Sequence, residues 1–291
     1  MIRKTIKLIL PSSLLETIRD FILLPNKINA VIKMKKWRKK DIEKATHRHE
    51  FKIFSQNGED GIIYYIFNKI GTKNRYFVEI GSGTGVECNT ANLSLNNNWR
   101  GILIDGNKEN IERGNIFYKT RFKKKPLPVK LVHSFVTKEN INKILSENGA
   151  VGKIDLLSID IDGNDYWVWK AIKVIDPRVV VIEYNASLGY DKSLTVEYDP
   201  DFDRFKKHSS GWYHGASLSA LTKLANSKGY ILAGCNSDGV NAFFIKKEIA
   251  KENFSEMSPK DAYFPCSYRN KKLSPLEQFN LIKGLNWVKI C

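Results

Sequence analysis

Short apolar runs alternate with amphipathic stretches along most of this chain, and that alternation predicts its architecture. Tyr76-Phe77-Val78-Glu79-Ile80 reads as a first strand that ends in glycines, and Gly101-Ile102-Leu103-Ile104-Asp105 as a second. Residues 129–132, 154–161 and 179–183 supply the next three. Between the strands the pattern predicts helices over 89–96, from 108 to about 114, over 138–147 and over 166–172. A helix over 62–70 precedes the first strand, and one over 218–228 follows the fifth. Residues 230–235 and 242–246 flank Asn236-Ser237-Asp238-Gly239, which reads as the turn of a closing hairpin. Strands that alternate with helices pair in parallel, with helices on both faces. Continuous Val/Ile-rich runs fit strands buried on both sides. The expected fold is therefore an α/β, Rossmann-like doubly wound sheet, mostly parallel, with a terminal antiparallel hairpin strand and a helical N-terminal extension.

The pattern also divides the chain. Residues 1–50 form a basic amphipathic helical extension, 51–247 carry the α/β alternation, and 248–291 are irregular apart from a short helix near 275–283. The apolar runs at 6–10 and 14–24 are broken by Lys7, Pro11, Glu16, Arg19 and Asp20. They are too short and too charged to span a bilayer, and no small-residue cleavage site follows them. The run Lys33-Met34-Lys35-Lys36-Trp37-Arg38-Lys39-Lys40 comes next. An apolar face, a basic cluster and a Trp fit peripheral contact through residues 1–40 with an anionic membrane surface, at its inner face. Docking of this helix on its own domain or on a partner subunit is the alternative.

Composition changes the picture little. The 291 residues are 42% hydrophobic and 27% charged, as a globular chain is. Lys and Arg number 47 against 31 Asp and Glu, a formal charge of +16. Such a field attracts anions, whether nucleic acid, an acidic membrane or an acidic or phosphorylated substrate. Codon usage that favours Lys produces the same number, so charge alone selects no partner. The four cysteines Cys88, Cys235, Cys266 and Cys291 have no metal-ligand spacing and read as reduced thiols of a cytoplasmic protein.

The first strand leads into Gly81-Ser82-Gly83-Thr84-Gly85. Glycines permit positive φ and close backbone approach to a ligand. A dinucleotide fingerprint would need its third glycine at Val86, and no P-loop Lys follows, so neither dinucleotide nor nucleoside triphosphate fits. The second strand ends at Asp105, where an acid can accept ribose hydroxyls. The spacing E-x-G-x-G-x-G from Glu79, with Asp105 after the second strand and the closing hairpin, resembles the class I S-adenosylmethionine-dependent methyltransferases over residues 51–247. The resemblance implies that Gly81 and Gly83, with Ser82 and Gly85 of the same loop, pass beneath the methionine end of S-adenosylmethionine. Glu79 would hold the loop or the ammonium, Asp105 the ribose, and Ser134 and Phe135 would lie near the adenine. Gln56 and Glu59 would fold over the methionine end. The alternative for that segment is helix capping by Asn57 or Asp60.

The fourth strand runs into Asp160-Ile161-Asp162-Gly163-Asn164-Asp165, and the fifth ends at Glu183-Tyr184-Asn185. Clustered carboxylates need a cation, a shared proton or strong hydrogen bonds. Strand alternation would put Asp160 and Asp162 on one face. Three readings stand. A divalent metal (Mg or Mn) bound by Asp160, Asp162 and Glu183, with Asp165 or Asn185, would acidify a substrate hydroxyl. Without metal, Asp160 contacts the cofactor and Asp162 acts as base. In the third, the acids merely cap the next helix. This stretch is similar to the FkbM-type methyltransferases of glycan gene clusters, with Asp in place of Glu twice, and macrocin-type sugar O-methyltransferases are neighbours. The implied reaction is O-methylation of a sugar or glycan-precursor hydroxyl in polysaccharide biosynthesis. His214 is a second candidate base, and Trp212 and Tyr213 candidate sugar platforms; the alternative is that these aromatics pack the loop while Ser217 caps the next helix. Tyr184, Asn185 and Tyr190 open a long loop that would cover the acceptor, with Tyr263, Phe264, Tyr268 and Arg269 completing its pocket. The rival readings are a nucleic-acid methyltransferase, suggested by +16 and Lys123-Lys124-Lys125 but lacking the motif such enzymes carry, and a catalytically silent binding protein of the same fold.

Overall fold

The computed structural model describes residues 23–34, 45–123, 126–250 and 252–291. The apolar run at 6–10, most of the run at 14–24, most of the basic run at 33–40 and Lys124-Lys125 lie outside the described residues.

Seven strands form the main sheet: β1 (Tyr76–Ile80), β2 (Arg100–Asp105), β3 (Val129–His133), β4 (Gly152–Ile159), β5 (Ile175–Glu183), β7 (Tyr230–Cys235) and β8 (Asn241–Lys246), in the order β3-β2-β1-β4-β5-β8-β7. β1 to β5 pair in parallel, and β8 inserts antiparallel between β5 and β7. This is the expected mostly parallel, doubly wound fold with its terminal antiparallel strand.

Alternation along each strand explains why helices must cover both faces. Val78, Ile80, Ile102, Ile104, Leu157, Ile159, Val180 and Ile182 pack into one core with α4 (Ile141–Glu147), α5 (Asp165–Ala171) and α6 (Leu218–Ser227). Phe77, Leu103, Leu156, Val179, Val181 and Phe243 pack into a second core with α1 (Glu59–Ile70), α2 (Ala91–Asn96) and α3 (Lys108–Phe122). A strand buried on both faces has no polar side to show, and this produces the unbroken apolar runs in the sequence.

α3 runs eight residues past the expected end at Gly114. That glycine is a packing site, not a helix stop. A Cβ there would lie 2.3 Å from Leu131 Cδ2 and 2.5 Å from Thr84 O, so its absence lets the helix press onto β3 and the glycine loop. The helix starts where Asn107 Oδ1 accepts from Glu109 N and Asn110 N, at 2.9 and 3.2 Å.

The long loop after β5 contains β6 (Leu194–Val196), which pairs antiparallel with β9 (Trp287–Lys289) near the C-terminus. α7 (Pro275–Ile282) begins with the capping box Ser274–Glu277 and contributes Ile282 to a small core with Val196 and Tyr213. Residues 23–34 are helical; Ala30 is buried, whereas Leu24, Ile28, Val31 and Ile32 are exposed. Among the described residues no helix is long and apolar enough to cross a membrane.

Candidate active site

The order of strands reverses between β1 and β4, and in open parallel sheets the crevice at such a reversal lies beyond the C-terminal strand ends. The glycine loop leaves β1 there. Gly81 has φ +83°, and a Cβ on it would fall 1.7 Å from Asp160 O, so no other residue lets the loop cross the end of β4. Gly83 has φ +56°, and a Cβ would meet nothing within 4 Å. Its amide donates to Asp105 Oδ2 at 2.7 Å, while Asp105 Oδ1 accepts from Asn107 N at 2.8 Å and Asn110 Nδ2 at 3.1 Å.

Two adjoining clefts meet at Gly81, Gly83 and Asp160. The larger, about 280 Å³, is lined by Asp105, Ser134, Phe135, Ile161, Asp162 and Phe202 among others. The smaller, about 120 Å³, is lined by Gln56, Glu59, Glu79, Ser82, Glu87 and Asn89 among others. Gly85 lines neither. A Cβ there would strike Leu103 Cδ1 at 2.5 Å, and its carbonyl accepts from Tyr118 Oη at 2.7 Å, so it seats the loop on β2 and α3.

Glu79 holds the loop. Its buried carboxylate accepts from Asn89 N at 2.9 Å, Thr90 N at 3.0 Å, Thr90 Oγ1 and Ser158 Oγ. Burial pushes its carboxyl up against the pull of these donors. Glu59 links the N-terminal segment to the closing hairpin: Oε1 accepts from Asn236 Nδ2 at 3.2 Å and Asn241 Nδ2 at 2.9 Å, and Oε2 from Asn57 N at 2.8 Å. The capping alternative for this segment does not form. Gly58 occupies the N-cap with φ +94°, and Asp60 instead gathers Ile53 N, Phe54 N and Ser55 N on Oδ2 at 2.8, 2.7 and 2.9 Å. Burial still pushes the Asp60 carboxyl up to about 6.

The acids after β4 separate by role. β4 ends at Ile159, so strand alternation does not extend to Asp160 and Asp162. Asp165 stitches the turn: Oδ1 accepts from Ile161 N and Oδ2 from Gly163 N, both at 2.9 Å. Asp160 is driven well up by burial and then by the charge of Glu183. Asp162 is half exposed, has φ +55°, and pairs with Arg204 Nη1.

Asp162, Glu183 and His214 each bring one ligand-type atom within 4.8 Å of the others. His214 thus stands where the sequence reading had Asp160. Glu183 Oε2 and His214 Nδ1 are buried, lack hydrogen-bond partners and lie 3.5 Å apart. Burial, then the charge of Arg269, pushes the His214 imidazole down to about 3. Burial, then Asp162 and Asp165, pushes Glu183 well up, while Arg269 and Arg204 hold it back. Arg269 Nη2 donates to His214 Nε2 at 2.9 Å. Two of the three groups are therefore already matched by guanidinium groups, and the set does not fit a divalent cation as it stands.

Sequence reasoning missed Phe202 and Arg204. Both lie on the strap between β6 and α6, Phe202 just after a turn and Arg204 at the start of the short helix Arg204–Lys207, and neither position carries a local signal of a site. The expected sugar platforms are packing residues. Tyr213 is buried edge-on to Trp287 with ring centroids 4.7 Å apart and donates to Asn286 O, and Trp212 packs on the small core. Tyr263 donates to Ala186 O at 2.7 Å, and Tyr184 to Phe264 O at 2.7 Å, so both anchor loops.

No protein-family model matches the chain, and no curated protein matches it in sequence. Solved structures align with parts of it at low identity and TM-scores below 0.5. PKMT2 from Rickettsia typhi in complex with AdoHcy is 11% identical at a TM-score of 0.43, over 68% of this chain and 55% of that one. The N-terminal domain of EvdMO1 with SAH bound is 11% identical at 0.39, over 64% and 79%. A SAM-dependent methyltransferase from Aquifex aeolicus is 11% identical at 0.35, over 63% and 89%. Likeness at this level says nothing about what the present chain acts on, which rests on its own site.

Proposed function

We propose that this chain is a methyltransferase that moves the methyl group of S-adenosylmethionine to a hydroxyl oxygen of a sugar or glycan precursor. The observation that carries the reading is the cleft floor: Gly83 presents bare backbone to open space while its amide fixes Asp105 at the rim. Gly81 and Gly83 allow the donor to lie close on the loop, and Asp105 Oδ2 retains a lone pair for a ribose hydroxyl. S-adenosylmethionine, when bound, supplies an electrophilic methyl on a sulfonium. Asp160 stands where the two clefts join, so a donor spanning both passes over it.

In-line transfer needs the acceptor hydroxyl aligned and its proton removed. The sequence offered Asp162 or His214 as base. Asp162 is taken up by Arg204, and His214 is sealed from solvent behind Glu183. Glu183, raised in pKa and within 4.8 Å of Asp162 at the larger cleft, is the base this reading assigns.

Calorimetry with S-adenosylhomocysteine tests the donor half, and no binding at millimolar ligand overturns it. Transfer of labelled methyl to hydroxylated glycans, with and without chelator, tests the acceptor half. Binding without transfer to any hydroxyl acceptor overturns that half alone, and turnover abolished by chelator overturns the metal-free base. The exposed Leu24, Ile28, Val31 and Ile32 support peripheral membrane contact; equal recovery with anionic and neutral vesicles would refute it.

A further inference from the structure

Arg269 lies in the irregular C-terminal segment, yet it is 5% exposed and sits against the candidate base pair. Its position is over-determined. Nη1 donates to Asn185 Oδ1 at 3.2 Å and to Ser187 Oγ at 3.3 Å, and Nη2 to His214 Nε2 at 2.9 Å. Asn185 in turn donates from Nδ2 to His214 O at 2.9 Å, which fixes the backbone of the same histidine.

A guanidinium has only donors and does not give up a proton in a protein. A ring nitrogen that faces it must therefore accept. In a neutral imidazole the other nitrogen then carries the proton, and here that nitrogen is Nδ1, 3.5 Å from Glu183 Oε2. A metal on Nδ1 would need a bare lone pair on both nitrogens at once, that is, an imidazolate. Metal-ligating histidines show the opposite surroundings, with the far N–H donating to a carboxylate or carbonyl.

We propose that Arg269 is a positioning residue: by donating to His214 Nε2 it holds the ring as the Nδ1–H tautomer, aims that proton at Glu183 Oε2, and keeps Asp162, Glu183 and His214 from acting as a cation-binding set. Glu183 Oε2 then faces an N–H at 3.5 Å, and the carboxylate is left to accept the substrate proton. That last role rests on the methyl-transfer reading, whereas the tautomer does not. Three atoms that cluster like metal ligands are held in the wrong protonation pattern by a cation supplied from 55 residues away.

Long-range ¹H–¹⁵N correlation spectra of the full-length ¹⁵N-histidine-labelled chain read the tautomer directly, with His214→Gln assigning the signal among five histidines. The wild type should show Nδ1–H with bare Nε2; Nε2–H in the wild type overturns the proposal without any variant at Arg269. Co²⁺ is the metal probe. Wild type and His214→Gln should bind it within about twofold of each other. Arg269→Leu, which frees Nε2 to carry the proton, should gain at least about tenfold in Co²⁺ affinity, and the double variant with His214→Gln should lose that gain. Arg269→Lys, which keeps a donor, should restore the wild-type tautomer and weak Co²⁺ binding. A wild type whose Co²⁺ affinity falls tenfold on His214→Gln refutes the proposal. If methyl transfer is present, Arg269→Leu should lower kcat about 10²-fold and leave the KM for S-adenosylmethionine within twofold. Because the spectra need neither donor nor acceptor, their outcome stands apart from any failure of the methyl-transfer reading.

Discussion

Gly83→Ala separates a ligand cradle from an ordinary tight turn. Gly83 and Gly149 both have positive φ, +56° and +82°, and at neither would a Cβ meet an atom within 4 Å. Gly149 lies between α4 and β4, at the strand edge opposite the clefts. An Ala in left-handed backbone costs about 1–2 kcal/mol wherever it occurs. Both variants should thus lose that much stability, about 2–8 °C in Tm for a chain of this size. Only at Gly83 does the added methyl occupy the space where a donor would lie. Forcing a methyl into a filled site costs about 1–3 kcal/mol, which is about 5- to 150-fold in affinity. The amide of Gly83 still reaches Asp105, so no hydrogen bond is lost to confuse the result. Calorimetry with S-adenosylhomocysteine, beside thermal melts of both variants, gives the comparison. The reasoning fails if Gly83→Ala binds within twofold of wild type, or if Gly149→Ala loses as much affinity as Gly83→Ala.

Asp155 is fully buried in the N-terminal half of β4, where it accepts from Lys73 N, Asn74 N and Arg75 N and from Arg178 Nη1 at 2.8 Å. Asp155→Ala leaves the Arg178 charge with only the Gly71 and Ile70 carbonyls and orphans three backbone amides; it should cost about 3–5 kcal/mol in urea unfolding and leave donor affinity unchanged, and a loss under 1 kcal/mol would contradict it. The Asp60 carboxyl, pushed up to about 6 by burial, binds its proton more tightly folded than unfolded. Its ionisation therefore destabilises the fold as pH rises from about 4 through about 6, so Asp60→Asn should gain relative to wild type over that window by up to about 3 kcal/mol. A wild-type-to-variant difference that is flat with pH would refute this. Trp287→Ala removes the ring packed on Tyr213 and the bond from its Nε1 to Ile282 O at 3.0 Å. Hydrogen exchange in β6 should accelerate at least tenfold while β1 and β4 keep their protection; uniform acceleration would show that the small core is not a separate unit.

The sheet was legible because strands buried on both faces are largely apolar, as the runs Ile102-Leu103-Ile104 of β2 and Val179-Val180-Val181-Ile182 of β5 are. Gly81 and Gly83 were legible because only glycine permits the crossing at Asp160 and the positive φ beside it. The end of α3 was misread because Gly114 looks identical in sequence whether it stops a helix or lets one approach Leu131 closely. β6 was hidden in a loop because a three-residue strand has no periodicity, and its partner Trp287–Lys289 lies more than ninety positions away. Trp212 and Tyr213 left two readings open, ligand platform or loop packing, because an aromatic in a loop has the same sequence appearance whether it faces a cleft or closes a small core.

The sequence by itself determined what depends on neighbouring positions: the strand runs, the glycine crossing, the acid at the end of β2 and the carboxylates after β4. Only the tertiary structure decided what those carboxylates are. Asp165 became the stitch of a turn, Asp162 the partner of Arg204, and Glu183 a raised acid, unpartnered at Oε2, facing His214. The protonation pattern of that pair follows from Arg269, which folding brings in from 55 positions along the chain. A pKa and a tautomer are set by the charges and donors within a few ångströms, and folding, not sequence spacing, chooses those neighbours.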